Sequence, residues 1–229
     1  MIGFFDSGLG GLTILEAVQK RLPDLQTRYF GDHEHAPYGN KSREEILELT
    51  WAGCEKLFAE GCKLVIIACN TATANALREI QQKRLHKYPG RNVLGIIRPT
   101  VEAMSKLGHR NIVVLGTVAT KKSGAYEAEF AHLNPDITIH SHASPNWVGF
   151  VESKRIESEE ARADIKREIS EMEREAPNAD AILLGCTHFP YLKTQIEQAL
   201  SKPIPVYTQG EFVAESLADY LERHKSIYT

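Results

Sequence analysis

The sequence predicts an α/β fold of two similar domains, each a mostly parallel sheet flanked by helices. Residues 63–73, KLVIIACNTAT, carry an apolar run that stops at Cys69, and residues 179–190, ADAILLGCTHFP, carry a second run that stops before Cys186. Continuous Val, Ile and Leu without alternation is typical of strands buried on both faces, which belong to parallel sheets. Strand and helix patterns alternate along the chain. The two cysteine segments therefore indicate two like halves that each deliver one thiol.

The first half begins with a short strand that ends beside a glycine-rich turn. The helix after it stops at Pro23, which cannot continue a helix. Ser42 is placed to cap the next helix, with Glu45 three residues on. Predicted strands of this half cover residues 2–5, 28–30, 64–68 and 93–97, and predicted helices run from 12 to 22, 42 to 58, 72 to 85 and to about 107 after the Arg98-Pro99-Thr100 segment.

The second half repeats the alternation of strands and helices. Its most charged helix, residues 157–175, has few apolar positions and is expected to present a solvated outer face. Predicted strands of this half cover residues 112–115, 137–142, 181–184 and 205–207, and predicted helices run from 120 to 133, 157 to 175, 191 to 200 and 211 to 223.

Length and composition bound the function. A chain of 229 residues can form one large or two compact α/β domains. A net charge of −3 without a Lys/Arg block gives no field for nucleic acid, so we expect no nucleic-acid partner. No apolar run approaches the ~20 residues of a membrane span, and we expect a cytoplasmic protein without membrane contact. The four cysteines form no C-x-x-C pair, so free thiols are expected, with Cys54 and Cys62 buried.

The turn after the first strand, DSGLGG, partly matches the pattern of a dinucleotide-binding site. Gly8 and Gly10 begin a G-x-G-x-x-G pattern, but position 13 is a threonine. Asp6 would also put a carboxylate beside the pyrophosphate. A small ligand that approaches the glycine backbone, with Asp6 and Ser7 as its polar contacts, is the favoured interpretation.

A metal site, a cysteine hydrolase and a serine hydrolase each fit the sequence less well. His140 and His142 have strand spacing, yet the sequence offers no evident third ligand, so the interpretation is two surface histidines and no metal. Cys186 with His188 could form a cysteine hydrolase, which leaves Cys69 idle. A G-x-S-x-G serine elbow is absent from the sequence. Two thiols at equivalent strand ends suit removal of a proton from one face of a carbon and its return to the other face.

Five segments resemble the cofactor-independent aspartate/glutamate racemases. They are DSGLGGL at residues 6–12, GDxxxxPYGxK at 31–41, ACNTA at 68–72, GTVATxxSxAY at 116–126 and GCTHFPYL at 185–192. The resemblance implies two α/β domains with the active site in the cleft between them. It also implies an isomerase that interconverts L- and D-glutamate without a cofactor. The D-glutamate would serve peptidoglycan synthesis.

The resemblance also assigns roles to residues. Cys69 would take the α-proton from D-glutamate and Cys186 would take it from L-glutamate. Asp6 would assist Cys69, His188 would assist Cys186, and Glu152 lies where the family has a carboxylate near the second thiol. The implied substrate-binding residues are Asp6, Ser7, Pro37, Tyr38, Gly39, Asn70, Thr71, Thr117, Thr120 and Thr187.

Some positions depart from the family pattern. Ser144 stands where the family has cysteine, Asn146 replaces an apolar residue and Gly149 replaces proline. Arg98 stands at a usually acidic or neutral position, and we expect its side chain to face solvent.

Two alternatives stay open beside glutamate racemisation: a racemase of aspartate or another amino acid, and a non-catalytic dicarboxylate-binding protein. The expected partner is the small-molecule substrate, and a homodimer is the expected assembly. The first domain is predicted to comprise residues 1–97 and 208–229, and the second residues 98–207.

Overall fold

A computed structural model of the chain describes residues 1–225 and contains two four-stranded sheets. Residues 226–229, which the first-domain prediction includes, lie outside this description. The first sheet has the order β2-β1-β3-β4 and the second the order β6-β5-β7-β8, and every neighbouring pair is parallel. The strands are β1 Ile2–Asp6, β2 Thr27–Gly31, β3 Leu64–Ile67, β4 Asn92–Gly95, β5 Asn111–Gly116, β6 Thr138–Ala143, β7 Ala181–Leu184 and β8 Val206–Tyr207.

Helices cover both faces of each sheet. They are α1 Leu12–Arg21, α2 Arg43–Ala59, α3 Asn70–Glu79, α4 Ile97–Met104, α5 Val118–Ser123, α6 Ala125–Leu133, α7 Trp147–Glu152, α8 Glu159–Glu175, α9 Lys193–Ala199 and α10 Gly210–Arg223. A π-helical turn, Ile80–Arg84, continues α3, and short 3-10 turns occur at His33–His35, Tyr38–Asn40, Leu85–Lys87 and Phe189–Leu192.

Strand β3 shows why its sequence lacks alternation. Val65 and Ile67 face one apolar core, whereas Leu64 and Ile66 face a second core on the other side of the sheet. Strand β7 divides its residues between two cores in the same way. Burying one such side chain is worth about 1.5–3 kcal/mol. Both cysteine strands are therefore central, and the predicted α/β class with two parallel sheets is confirmed.

The polypeptide returns to the first sheet at its end. Val213 and Leu217 of α10 lie in the same apolar cluster as Ile2 and Phe4 of β1. The domain boundaries at residues 97 and 208 stay predictions. Within residues 1–225, no helix has the length and apolar character needed to cross a membrane.

Two predicted elements are wrong, and one helix was not predicted. Strand β4 ends at Gly95 and helix α4 begins at Ile97, so Arg98 and Pro99 lie in the first turn of a helix, where proline is tolerated. The predicted helix 120–133 is two helices, because Gly124 adopts a left-handed conformation with φ 62° between them. The segment before residue 153 forms helix α7, for which the sequence pattern offers no prediction.

Two local predictions are confirmed. Ser42 Oγ accepts from the Glu45 amide at 3.2 Å while the Glu45 carboxylate accepts from the Ser42 amide at 2.9 Å, a complete capping box at the start of α2. Arg98 is exposed and pairs with Glu102 and Glu129, each at 2.9 Å.

Candidate active site

Cys69 occupies the position between strand β3 and helix α3. Its Sγ accepts from the Ala72 amide at 3.5 Å as the cap of α3, and it lies 3.5 Å from Ser7 Oγ. The thiol is buried. Helix N-termini favour anions, so this position can stabilise a thiolate when one forms.

At rest, however, the Cys69 thiol holds its proton. Burial raises the pKa of Cys69 to about 12, and the charges of Asp6 and Cys186 act in the same direction. The contacts with Ser7 and Ala72 offset only part of this effect. At neutral pH the group is thus a proton donor, and an incoming cation such as a substrate ammonium would be needed to ease its ionisation.

Cys186 follows strand β7 as Cys69 follows β3. Its Sγ is buried and lies 3.9 Å from His188 Nδ1. His188 Nε2 lies 2.6 Å from Glu152 Oε1, and that oxygen also accepts from the Leu9 amide at 3.1 Å. A line of contacts therefore joins the second thiol, an imidazole, a carboxylate and the glycine-rich turn of the first sheet.

The imidazole in this line carries two protons at neutral pH. Burial alone would lower the pKa of His188, but its contacts with Cys186 and Glu152 outweigh burial and raise the pKa to about 10. The hydrogen bond from His188 lowers the pKa of Glu152, which is therefore ionised. The positively charged ring lies beside the Cys186 sulfur, 3.9 Å away. The Cys186 thiol thus lies beside a positive charge, whereas the Cys69 thiol is exposed to the negative charge of Asp6.

Asp6 connects the two halves. It is fully buried at the end of β1, where Oδ2 accepts from the Gly8 amide at 2.9 Å and Oδ1 accepts from Thr187 Oγ1 at 3.2 Å. Burial raises the pKa of Asp6, and the positive charge of His188 offsets part of that rise. The carboxyl group is therefore close to both thiol loops and keeps a proton to higher pH than an exposed aspartate does.

Three threonine hydroxyls form a buried cluster between the halves. Thr71 Oγ1 at the start of α3 lies 2.9 Å from Thr117 Oγ1 and 3.3 Å from Thr120 Oγ1, and the last two are 3.0 Å apart. Hydroxyls both donate and accept, so the cluster can turn its protons toward a carboxylate. The structure brings these three predicted binding residues together.

The loop after β2 contributes differently. The Tyr38 hydroxyl donates to Asp32 Oδ2 at 2.6 Å, and its ring packs 6.3 Å from that of Phe5, centroid to centroid. Gly39 lies against Thr117, and Pro37 and Gly39 line a hollow of about 340 Å³ at the junction of the halves. These residues border the site, while the Tyr38 hydroxyl is already engaged by Asp32.

Asn70 has its side chain turned into a buried amide network. Its Nδ2 donates to Gln209 Oε1 at 2.6 Å, and its Oδ1 accepts from the Tyr126 hydroxyl at 2.6 Å. Gln209 Nε2 also donates to Thr100 Oγ1 at 3.0 Å. The Asn70 side chain is therefore engaged within the fold and positions the start of α3, and its predicted role in substrate binding stays a prediction.

Asp32, Tyr126 and Gln209 hydrogen-bond to predicted site residues but were not themselves predicted. Gln209 is buried and follows β8, the last strand of the second sheet. A polar residue just past the carboxyl end of a parallel strand is a signal that could have identified it, as it did for Cys69 and Cys186.

The fold defines a two-domain α/β protein in which one buried thiol follows a central strand of each sheet. Residues 12–216 match the sequence profile of the family described as Asp/Glu/hydantoin racemase. The chain belongs to this family, and the resemblance seen in its motifs is confirmed.

Three similar proteins are named glutamate racemase. The chain is 38% identical over 237 residues to the glutamate racemase of Ruegeria pomeroyi, an alignment that covers 99% of this chain and 87% of that protein. Among solved structures, glutamate racemase isoform RacE1 from Bacillus anthracis superposes with a TM-score of 0.89 at 32% identity, covering 100% of this chain and 84% of that one. The Francisella tularensis glutamate racemase in complex with D-glutamate gives a TM-score of 0.87 at 29% identity, covering 100% and 82%.

Proposed function

We propose that the chain interconverts L- and D-glutamate, with Cys69 and Cys186 as the two acid–base groups. The observation that carries the proposal is the pair of buried thiols at corresponding ends of β3 and β7. Asp6 accepts from Thr187, the neighbour of Cys186, and its charge also acts on Cys69. The relatives named above support glutamate as the substrate. The domain boundaries, the homodimer and the use of D-glutamate in peptidoglycan stay predictions.

In the resting protein, the surroundings of the two thiols favour the conversion of L-glutamate to D-glutamate. Beside the His188 imidazolium, Cys186 acts as the base and takes the α-proton of L-glutamate. The electron pair of the broken C–H bond stays on the α-carbon and its carboxylate. Cys69 then gives its thiol proton to the opposite face of the carbon, which forms D-glutamate and leaves the Cys69 thiolate.

The reverse direction uses the same groups with exchanged roles. The Cys69 thiolate takes the α-proton of D-glutamate, and the Cys186 thiol returns a proton from the other side. Asp6, buried between the two loops, can restore the starting proton distribution by exchange. Ser7, the threonine cluster and the N–H groups at the start of α3 are donors that would hold the substrate carboxylates and the charge that develops on the carbanion.

The direct test measures racemisation and label together. L-Glutamate is incubated with the purified chain in D₂O, with chelator and without pyridoxal phosphate, and both the α-deuterium content and the enantiomeric ratio are followed. We expect D-glutamate that carries α-deuterium. Absence of label would support a binding protein, and faster labelling of aspartate than glutamate would support an aspartate racemase; either result contradicts the proposal.

Replacing Glu152 is expected to change the pH profile. The Glu152 carboxylate helps to hold the second proton on His188, so Glu152→Gln lowers the pKa of His188 from about 10. Loss of an opposite charge at hydrogen-bond distance moves a pKa by about 1–3 units. We expect the alkaline fall of kcat/KM for L-glutamate to move to lower pH by that amount.

The matched control is Glu44→Gln in the exposed first turn of α2, which touches none of these groups. Its pH profile should equal that of the unchanged protein. An alkaline limb that stays in place in Glu152→Gln would show that His188 ionisation does not limit the reaction.

A further inference from the structure

A cluster outside the thiol site joins the second sheet to helix α8. His140 and His142 lie two residues apart on edge strand β6, so their side chains project to the same face. Glu175, the last residue of α8, meets both of them: its Oε2 is 3.0 Å from His140 Nε2 and 3.1 Å from His142 Nδ1. The third ligand absent from the strand pattern thus comes from a helix 33 positions farther along.

We propose that His140, His142 and Glu175 form a binding site for a divalent transition-metal ion of the zinc type, which fastens β6 to the end of α8. One ligand atom from each residue lies within 4.8 Å of the others. Two imidazoles and one carboxylate are a common protein ligand set for zinc, with water as the fourth ligand. Bonds of about 2.0–2.2 Å in a tetrahedral arrangement put ligand atoms about 3.3 Å apart. The carboxylate–imidazole separations of 3.0 and 3.1 Å are within a few tenths of an ångström of that spacing.

His142 is a buried ring held between two carboxylates, which corrects the surface position predicted for it. Its Nδ1 faces Glu175, and its Nε2 lies 2.8 Å from Glu168 Oε2. When Nε2–H donates to Glu168, the lone pair of Nδ1 points toward Glu175 and is available to a metal ion.

Glu168 has the features of a supporting residue for such a site. Its side chain is only 5% exposed, and a buried carboxylate that accepts from the far nitrogen of a histidine fixes the ring orientation of many metal ligands. Arg167 pairs with the other Glu168 oxygen at 2.9 Å and balances its charge. The ligands are accessible to an ion in solution, because the Glu175 and His140 side chains are 47% and 36% exposed.

Both favourable and unfavourable charges act on a cation at this cluster. A cation at the carboxyl end of α8 interacts favourably with the helix dipole. Against this, the positive charge of Lys121 in α5 also acts on Glu175, and a bound metal ion would have to tolerate it.

Cobalt(II) is the probe for the test, because its absorption spectrum depends on the identity and geometry of its ligands. The purified full chain is titrated with Co²⁺, and the visible bands of tetrahedral cobalt are recorded together with the near-ultraviolet thiolate-to-cobalt band. We expect one Co²⁺ per chain with the visible bands and without the thiolate band, displaced by Zn²⁺. Glu168→Gln should weaken binding about 10–100-fold, and His140→Asn and Glu175→Gln should weaken it further.

The control is His132→Asn, an exposed histidine of α6 outside the cluster, and it should bind as the unchanged protein does. The proposal is overturned by the absence of binding, by a dominant thiolate band, which would place the ion at Cys69 and Cys186, or by equal affinity in His140→Asn and the unchanged chain. Racemisation is not measured in this titration, so its outcome is separate from that of the proposed function.

Discussion

Replacing either site thiol by serine is expected to lower racemisation in both directions by about 10²–10⁴-fold, the contribution typical of a positioned acid–base group. Cys69 and Cys186 each serve as base in one direction and as acid in the other, so one substitution removes a group from both. A serine hydroxyl fits the space of the thiol but ionises far less readily. Enantiomer ratios measured from pure L- and pure D-glutamate give both rates.

The two variants should differ in the label they take up from D₂O. Cys186→Ser keeps the base assigned to D-glutamate, so solvent deuterium should enter D-glutamate faster than L-glutamate. Cys69→Ser should show the opposite preference. This difference separates a lost acid–base group from a general loss of structure, since a misfolded protein would label neither enantiomer.

Cys54→Ala provides the matched control. Cys54 is a fully buried thiol of α2 that packs in an apolar core and belongs to none of the thiol loops. Its replacement should cost stability while leaving turnover unchanged at a temperature where the protein is folded. Turnover near that of the unchanged protein in either Cys69→Ser or Cys186→Ser would refute the two-thiol assignment.

Much of the fold followed from local patterns. Strands β3 and β7 were predictable because residues that face two cores leave an apolar run without alternation. The start of α2 was predictable because Ser42 and Glu45 satisfy each other's backbone amides. The break at Gly124 was not, since a single glycine inside a helical pattern is also tolerated within a helix. Tertiary packing decides such positions.

The site was predictable at strand ends and unpredictable where a side chain acts across the fold. Cys69 and Cys186 each follow a buried strand, which any reader of the sequence can locate. The contact of Glu152 with the Leu9 amide joins residues 143 positions apart and has no local signature. The amide network of Asn70 and Gln209 likewise spans 139 positions. Resemblance to a family supplied Glu152, and only coordinates supplied Gln209.

Gly10→Ala is expected to lower kcat about 100-fold without unfolding the protein. A β-carbon at Gly10 would lie 2.5 Å from Thr187 Oγ1 and 2.6 Å from His188 Nδ1, closer than atoms tolerate. The His188 ring must then shift from its place beside Cys186 and Glu152, and a displacement of about 1 Å in an active site can cost about 10²-fold in rate. Steady-state kinetics in both directions, with a thermal melt of the same sample, measure the effect.

Gly149→Ala tests whether the effect is specific to Gly10. A β-carbon at Gly149 meets nothing within 4 Å, and alanine is favoured over glycine in helix α7, so rate and melting temperature should be maintained. The Gly10 variant should also show its alkaline limb at lower pH, because His188 loses the Cys186 contact that raises its pKa. Unchanged kinetics in Gly10→Ala would mean that the 185–192 loop can retreat from the glycine turn during turnover. His188 would then act without the fixed contact to Cys186 on which the assigned direction of proton transfer depends.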